Sequence, residues 1–479
     1  MSTVAASRAL PESFTEGSIV GALVRLSIPI VLANILQTAY QITDTWWVGR
    51  LSAEAVAAVS LCFPISFLLI AIGGGLPIAG SVLIAQYRGR GDERAMNHVA
   101  AQTLLMVLAV SIFLSTVGYI FSEPIMRFMG AEPNVLPDAV SFLRYTFIGF
   151  IFVFAFFVYQ SLMRGLGVVQ MPMYIVALTV LLNFALDPFF IFGWGPVPPL
   201  GVAGAAMATL ATQALASVIG FWLLFRGAHG LSLRLADFRP DFAVIAQTFR
   251  LGLPASIEQC TRALNLTMMT LLVASFGTVV VAAFGVGLRI LTFIIIPAMG
   301  LAMATTTLVG QNMGAGKVKR AEQTTLVASL ISFFVPTVAG AVLFLLAQPI
   351  SAIFVPKSGA AIEESAMFIR ITAFSFGLIG LQHVITGALR GAGDTMAAMM
   401  LSLISTWVIL FPLAYVLSRH TSLGARGIWW SYPISNLISA IISVIWFMGG
   451  DWKDTRLLDQ FRLEEQVREE TQIDEGIAT

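Results

Sequence analysis

Charge is scarce in this chain: Asp, Glu, Lys and Arg together make up 11% of its 479 residues. A soluble globular protein carries about 25%. The shortage excludes an ordinary soluble enzyme and a disordered chain. An excess of one sign is also missing. Lys+Arg 27 against Asp+Glu 26 leaves a net charge of +1, which excludes the basic surface of a nucleic-acid binder. Only two cysteines occur, Cys62 and Cys260. Both lie in apolar runs, so neither a disulfide framework nor a cysteine metal cluster is expected. They read as buried structural thiols. There is no P-loop, HExxH pair or nucleophile elbow. Nothing therefore points to ATP hydrolysis or to an enzyme, and no cofactor is expected. The first apolar run lacks a cleavage pattern, so the first span is expected to be retained.

Apolar residues are what the chain has, at 57%, with a mean hydropathy of +0.87. A transmembrane helix needs about 20 apolar residues, and runs of that length recur along almost the whole chain. The alternating segments of about 10 residues that mark a membrane barrel do not occur. Twelve spans are expected, at roughly 20–47, 55–79, 98–121, 138–162, 172–193, 201–225, 250–275, 279–303, 324–347, 365–388, 397–418 and 427–449. The expected fold class is an all-α polytopic membrane protein embedded in the lipid bilayer. Its oligomeric state is not readable; a monomer is the expectation.

Lys and Arg set the orientation. Eighteen of the 27 fall on one set of loops and ends, among them Arg88, Arg90, Arg94, Arg226, Arg234, Lys317, Lys319 and Arg390; seven fall on the opposite set. Both termini are therefore expected in the cytoplasm, as an even number of spans requires.

An internal repeat organises the chain. Pro29 and Pro254 are 225 residues apart, and the same offset maps Gln86 onto Gln311, Gly89 onto Gly314 and Gly91 onto Gly316. An offset of 226 maps Arg164-Gly165-Leu166-Gly167 onto Arg390-Gly391-Ala392-Gly393, and one of 223 maps Leu200-Gly201 onto Leu423-Gly424. The expected domains are a cytoplasmic segment 1–17, a first lobe 18–230 with spans 1–6, a second lobe 231–450 with spans 7–12, and a cytoplasmic tail 451–479. Halves with an even number of spans insert in the same orientation, as in transporters with parallel repeats.

An acid at a helix centre costs about 2.5–3.5 kcal/mol to insert. Of 26 acidic residues, three fall well inside spans: Asp44, Asp187 and Glu258. These are the functional candidates. In span 1, Asn34, Gln37, Gln41 and Asp44 are spaced 3, 4 and 3, on one helix face. Such a stripe cannot face lipid. Tyr40 lies one turn before Asp44 and can donate to it. In span 5, Asn183 and Asp187 share a face, followed by Pro188. If Asp44 and Asp187 converge, they form a buried acid pair that titrates as a unit. It can take up a proton or accept a hard cation through its oxygens.

Span 7 places Glu258, Arg262 and Asn265 on one face, where Glu258 and Arg262 can neutralise each other. That pair reads either as an internal counterion or as part of a polar lining. Met269 and Leu413 stand at the positions matching Asp44 and Asp187, so ion coupling is expected in the first half. His383, in span 10, reads more readily as a satisfied histidine than as a titrating one. The 35 Phe and 19 Met suit an apolar cavity for greasy cations. Bends are expected at Pro29, at Gly73-Gly74-Gly75, and at Pro297 with Gly300.

The ordered motifs resemble those of the MATE (multidrug and toxic compound extrusion) transporters over about residues 17–450. They are Pro29, Asn34, Gln37, Asp44 and Val48-Gly49-Arg50-Leu51; Gln86 and its Gly-rich turn; Arg164 to Gly167; Asn183 to Pro188 with Ile191-Phe192-Gly193; Gly310-Gln311-Asn312-Met313-Gly314-Ala315-Gly316-Lys317; and Arg390-Gly391-Ala392-Gly393-Asp394-Thr395. The resemblance implies two pseudo-symmetric six-helix lobes in a V, exporting drugs or organic cations in exchange for protons or sodium ions across a bacterial-type inner membrane. The chain is most similar to the DinF-like branch. By that resemblance the coupling residues are Tyr40, Asp44, Asn183, Asp187 and Thr209 or Thr212. If sodium is the ion, Asp44, Asn183 and Asp187 would hold it. The substrate lining would include Asn34, Gln37, Gln41, Glu258, Arg262, Asn265 and His383. Span 10 holds no Asp, so the second-lobe carboxylate pair of the NorM-like branch is not matched. The alternatives are a flippase for lipid-linked precursors and a passive facilitator; a major facilitator ranks low, because its loop signature is not matched by residues 86–94.

Overall fold

The computed structural model describes residues 13–194, 198–455 and 457–459. The expected N-terminal segment lies partly, and the C-terminal tail mostly, outside the described residues. The described chain is helical almost throughout. The long helical segments are α1 Ile19–Val48, α2 Ala53–Arg90, α3 Glu93–Ile120, α4 Leu136–Leu166, α5 Gln170–Phe192, α6 Val202–Phe225, α7 Phe242–Ala274, α8 Thr278–Gly314, α9 Val318–Leu345, α10 Gly359–Ala373 with Phe376–Ala392, α11 Thr395–Arg419 and α12 Ala425–Gly449.

Among the described residues, ten of these are long and apolar enough to cross a bilayer, and α10 makes eleven if its two halves form one span. The halves of α10 are bent by 52°, a break that the even hydropathy of span 10 conceals. The twelfth, α7, has the length but carries Glu258, Gln259, Arg262 and Asn265, which lower its hydropathy. Helix α1 runs unbroken through Pro29 and α8 through Pro297, whereas α2 is interrupted at Gly75. Helix α11 widens to a π-helical stretch over Ile404–Leu410.

The chain forms two compact units. Among the described residues, one consists mainly of Leu32–Ser256 and the other of Phe14–Val31 with Ile257–Leu457. The division falls after Val31 in α1 and after Ser256 in α7, positions separated by the repeat offset of 225. In the first unit α4 packs on α6, α3 and the second half of α2. In the second unit α10 packs on α8 and α9 in the matching way. Each unit has its own apolar core, one around Phe147, Phe154 and Tyr159, the other around Phe284, Phe368 and Trp429.

The repeated sequence motifs have a backbone cause. A Cβ on Gly165 would meet the carbonyl oxygen of Ser81, and one on Gly391 that of Thr306, each at 2.5 Å. Ser81 and Thr306 are themselves one offset apart. A side chain at either glycine would push the fourth helix of its unit off the second. Two residues on, Gly167 and Gly393 end their helices at φ 85° and 100°, the left-handed conformation that terminates a helix and favours glycine.

Candidate functional site

The first unit brings the predicted acids together. Helix α1 presents Tyr40 and Asp44, α5 presents Asn183 and Asp187, and α6 presents Thr209 and Thr212. The Thr209 hydroxyl donates to Asp44 Oδ2 at 3.3 Å. Tyr40 does not reach Asp44 by a hydrogen bond; its hydroxyl pairs with Thr212 Oγ1 at 2.7 Å. Asn183 Nδ2 donates to Asp187 Oδ1 at 3.1 Å, the one-turn contact that the spacing of span 5 allows. Asn183 and Asp187 are fully buried, and Asp44 interacts with both.

Donors run short here. Asp44 Oδ1, Asp187 Oδ2 and Asn183 Oδ1 are all buried without a hydrogen-bond partner. An unmade bond of this kind costs about 1–3 kcal/mol, and two carboxylates cannot both stay charged in such a place cheaply. A proton on one carboxyl supplies a donor. Carboxylate and amide oxygens are also the ligand type that a hard cation takes. Among the described residues no group of three or more His, Cys, Asp or Glu gathers for a metal.

Asp44 opens onto a cavity of about 230 Å³ within the first unit. Gln37, Tyr40, Gln41 and Thr209 share its lining with Phe63, Phe67, Phe150, Phe156 and Phe157. The polar stripe of span 1 thus faces inward, as its spacing predicts, except that Asn34 lies outside the lining. Asn183 and Asp187, both fully buried, are not part of this lining. The cavity therefore presents one acid edge among ring faces. The phenylalanines that make this wall are scattered over α2 and α4, where span 1 gives no hint of them.

The second unit has a different cluster. Glu258 is 2% exposed. Its Oε1 accepts from Arg262 Nη2 and from Arg390 Nη2, each at 2.7 Å, and its Oε2 accepts from Arg390 Nε at 3.2 Å. The expected Glu258–Arg262 pair is present, but Arg390 joins it from α10. Sequence reasoning placed Arg390 in a cytoplasmic loop; the usable signal was its match to Arg164 in the repeated motif. His383 interacts with the three charges, and its Nδ1 lies 2.9 Å from the Ile379 carbonyl oxygen, the satisfied arrangement that the sequence favoured. Asn265 Oδ1 is buried without a partner. At the positions matching the acids, Met269 is fully buried and Leu413 partly so.

The repeat is also visible in comparison with known families. The MatE family pattern matches residues 29–189 and again 254–416, and the two matches begin at the repeated prolines. The chain belongs to the MATE family. It is similar to "Probable multidrug resistance protein YoeA" of Bacillus subtilis, at 29% identity over 87% of this chain and 90% of that protein. It is similar as well to a protein named "FAD transporter" of Shewanella oneidensis, at 26% identity over 88% of this chain and 92% of the relative. A solved MATE structure in the bent conformation superposes with a TM-score of 0.87 and 27% identity, over 95% of this chain and 100% of that one. As a MATE protein the chain is a membrane transporter of small molecules and not an enzyme.

Proposed function

We propose that this MATE protein is an ion-coupled antiporter that exports drugs and organic cations by alternating access. In this reading it lies in a bacterial-type inner membrane with both termini in the cytoplasm, and it works as the DinF-like branch does, through the first unit. The observation that carries the reading is the donor shortage at Asp44, Asp187 and Asn183 beside an aromatic cavity. A proton or a sodium ion relieves the shortage. An amphipathic cation in the cavity instead pairs with Asp44, which lines it, with ring faces adding cation–π attraction. Ion and substrate then compete for one charge, and this competition is the differential affinity that antiport requires. Thr209 holds Asp44, and the Tyr40–Thr212 bond ties α1 to α6 beside it.

The relatives' names agree with export of small molecules, and the FAD transporter extends the range beyond cations. The test is efflux of a fluorescent cation from proteoliposomes under an imposed pH gradient in sodium-free buffer, then under a sodium gradient. Wild-type protein should accumulate substrate against its gradient with one of the two ions. Asp44→Asn should lower gradient-driven transport by about tenfold or more while the purified protein remains folded. Transport that runs only down the substrate gradient would establish a passive facilitator instead.

A further inference from the structure

The charge count around Glu258 does not close. Arg390 meets this carboxylate through both Nε and Nη2, the two-pronged geometry in which one guanidinium neutralises one carboxylate. Arg262 is a second guanidinium on the same oxygen. The cluster therefore holds two fixed positive charges and one negative, with His383 adding a third group that gains charge on protonation. The acid nearest in sequence to Arg390 is Asp394, and it is engaged elsewhere: its Oδ1 caps α11 by accepting from Ala397 N–H at 3.0 Å. Among the described residues, Arg262 and Arg390 make no other ion pair. A surplus cation inside a transmembrane helix carries an insertion cost of about 2.5–3.5 kcal/mol, and a counterion role would need only Arg390.

Exposure shows where the surplus points. Glu258 is closed off at 2%, whereas Arg262 keeps 32% of its side chain open. A charged side chain inside a span is costly to set against hydrocarbon, so the open part of the Arg262 side chain fits an aqueous space better than lipid. We propose that Arg262, backed by Glu258 and Arg390, is a recognition point for an anionic group, a carboxylate or a phosphate, on transported molecules. Glu258 holds the Arg262 guanidinium by one edge. Among the described residues its other donors have no acceptor, and they form the planar fork that matches both anions. The proposal rests on the export reading and extends its substrates from cations to organic anions and zwitterions.

The test uses two xanthene dyes of opposite charge, rhodamine 6G and carboxyfluorescein, binding to the purified full chain by fluorescence anisotropy. Wild-type protein should bind carboxyfluorescein, and inorganic phosphate or a short-chain phosphatidic acid should displace it. Displacement by free phosphate identifies a soluble cargo, and displacement by the lipid alone a headgroup; both keep the anion site. Arg262→Gln leaves Glu258 neutralised by Arg390, so the protein should fold. In it the ratio of carboxyfluorescein to rhodamine 6G affinity should fall at least tenfold, and Arg262→Lys should recover part of that loss. A structural role would lower both affinities together or neither, and an unchanged ratio overturns the proposal. Wild-type protein that does not bind carboxyfluorescein overturns it as well. If rhodamine 6G is not exported but carboxyfluorescein binding depends on Arg262, the cation reading fails and the anion site stands.

Discussion

The two units share a plan and differ in the sign of their buried charge. The first sets Asp44 and Asp187 near each other with hydroxyl and amide partners and, among the described residues, no cationic one. The second sets Arg262 and Arg390 on a single carboxylate. The contrast can be followed residue by residue at one offset. Gln37 in α1 corresponds to Arg262 in α7, Gln41 to Leu266, and Asp44 to the fully buried Met269. The glycine contacts that hold the helices, Gly165 on Ser81 and Gly391 on Thr306, are unchanged between units. Packing positions were kept while the polar face of the first helix in each unit diverged. Duplication supplied the frame, and a few side chains assigned each frame its chemistry.

The largest expected effect comes from removing the acid that the second unit does have. Glu258→Gln leaves two guanidiniums without their counterion. Breaking a buried pair in this way costs about 3–5 kcal/mol, so a marked fall in melting temperature and in folded yield is expected. The cost falls mainly on Arg390, the more closed-in of the two at 14% exposure against 32% for Arg262, and a stable variant would mean that Arg390 too is solvated by water.

A sharper trial transfers the chemistry. Met269→Asp puts an acid at the position matching Asp44, but Leu413 stands where Asp187 would be needed. The added acid should cost about 2.5–3.5 kcal/mol on insertion and should not restore gradient-driven transport to Asp44→Asn. Restoration would show that one acid in either frame suffices.

The smallest effect belongs to the segment before α7, outside the spans. Asp241 Oδ1 accepts from Ala243 and Val244 N–H at 3.0 and 3.3 Å, and its Oδ2 lies 3.3 Å from His98 Nε2. Burial pushes this carboxyl up, but those hydrogen bonds outweigh it and hold Asp241 below its ordinary value. Because the folded state favours the charged form, the stabilisation is present above the ordinary carboxylate range and is lost as pH falls through it. Asp241→Ala should cost about 0.5–2 kcal/mol near neutral pH. Melting curves should show the difference from wild type shrinking below about pH 4. A constant difference down to pH 3 would assign the effect to packing rather than charge.

Much of the first unit's site was legible because its residues are local and costly. Asp44 and Asp187 stand out as charges within apolar runs, and Asn183 lies one turn from its partner. The repeat was legible because its glycines answer to backbone contacts that tolerate no side chain. Arg390 was not legible, because its partner lies 132 residues away and a charge near a helix end resembles a loop charge. The bend in α10 and the π-helical stretch of α11 leave no mark on hydropathy, which records composition and not backbone hydrogen bonding. The escape of Asn34 from the lining has the same origin: spacing names a face, and packing decides how much of that face meets the cavity.

The most direct measurement is the exchange of ions when substrate binds to purified protein. A fluorescent cation would be titrated in weakly buffered solution while proton release is followed, then again in sodium-containing buffer, for wild type, Asp44→Asn and Asp187→Asn. If the acid pair couples the two, wild-type binding releases protons or weakens with added sodium, and both substitutions abolish that response. A response that survives in both variants would contradict the account and move the coupling site out of the first unit.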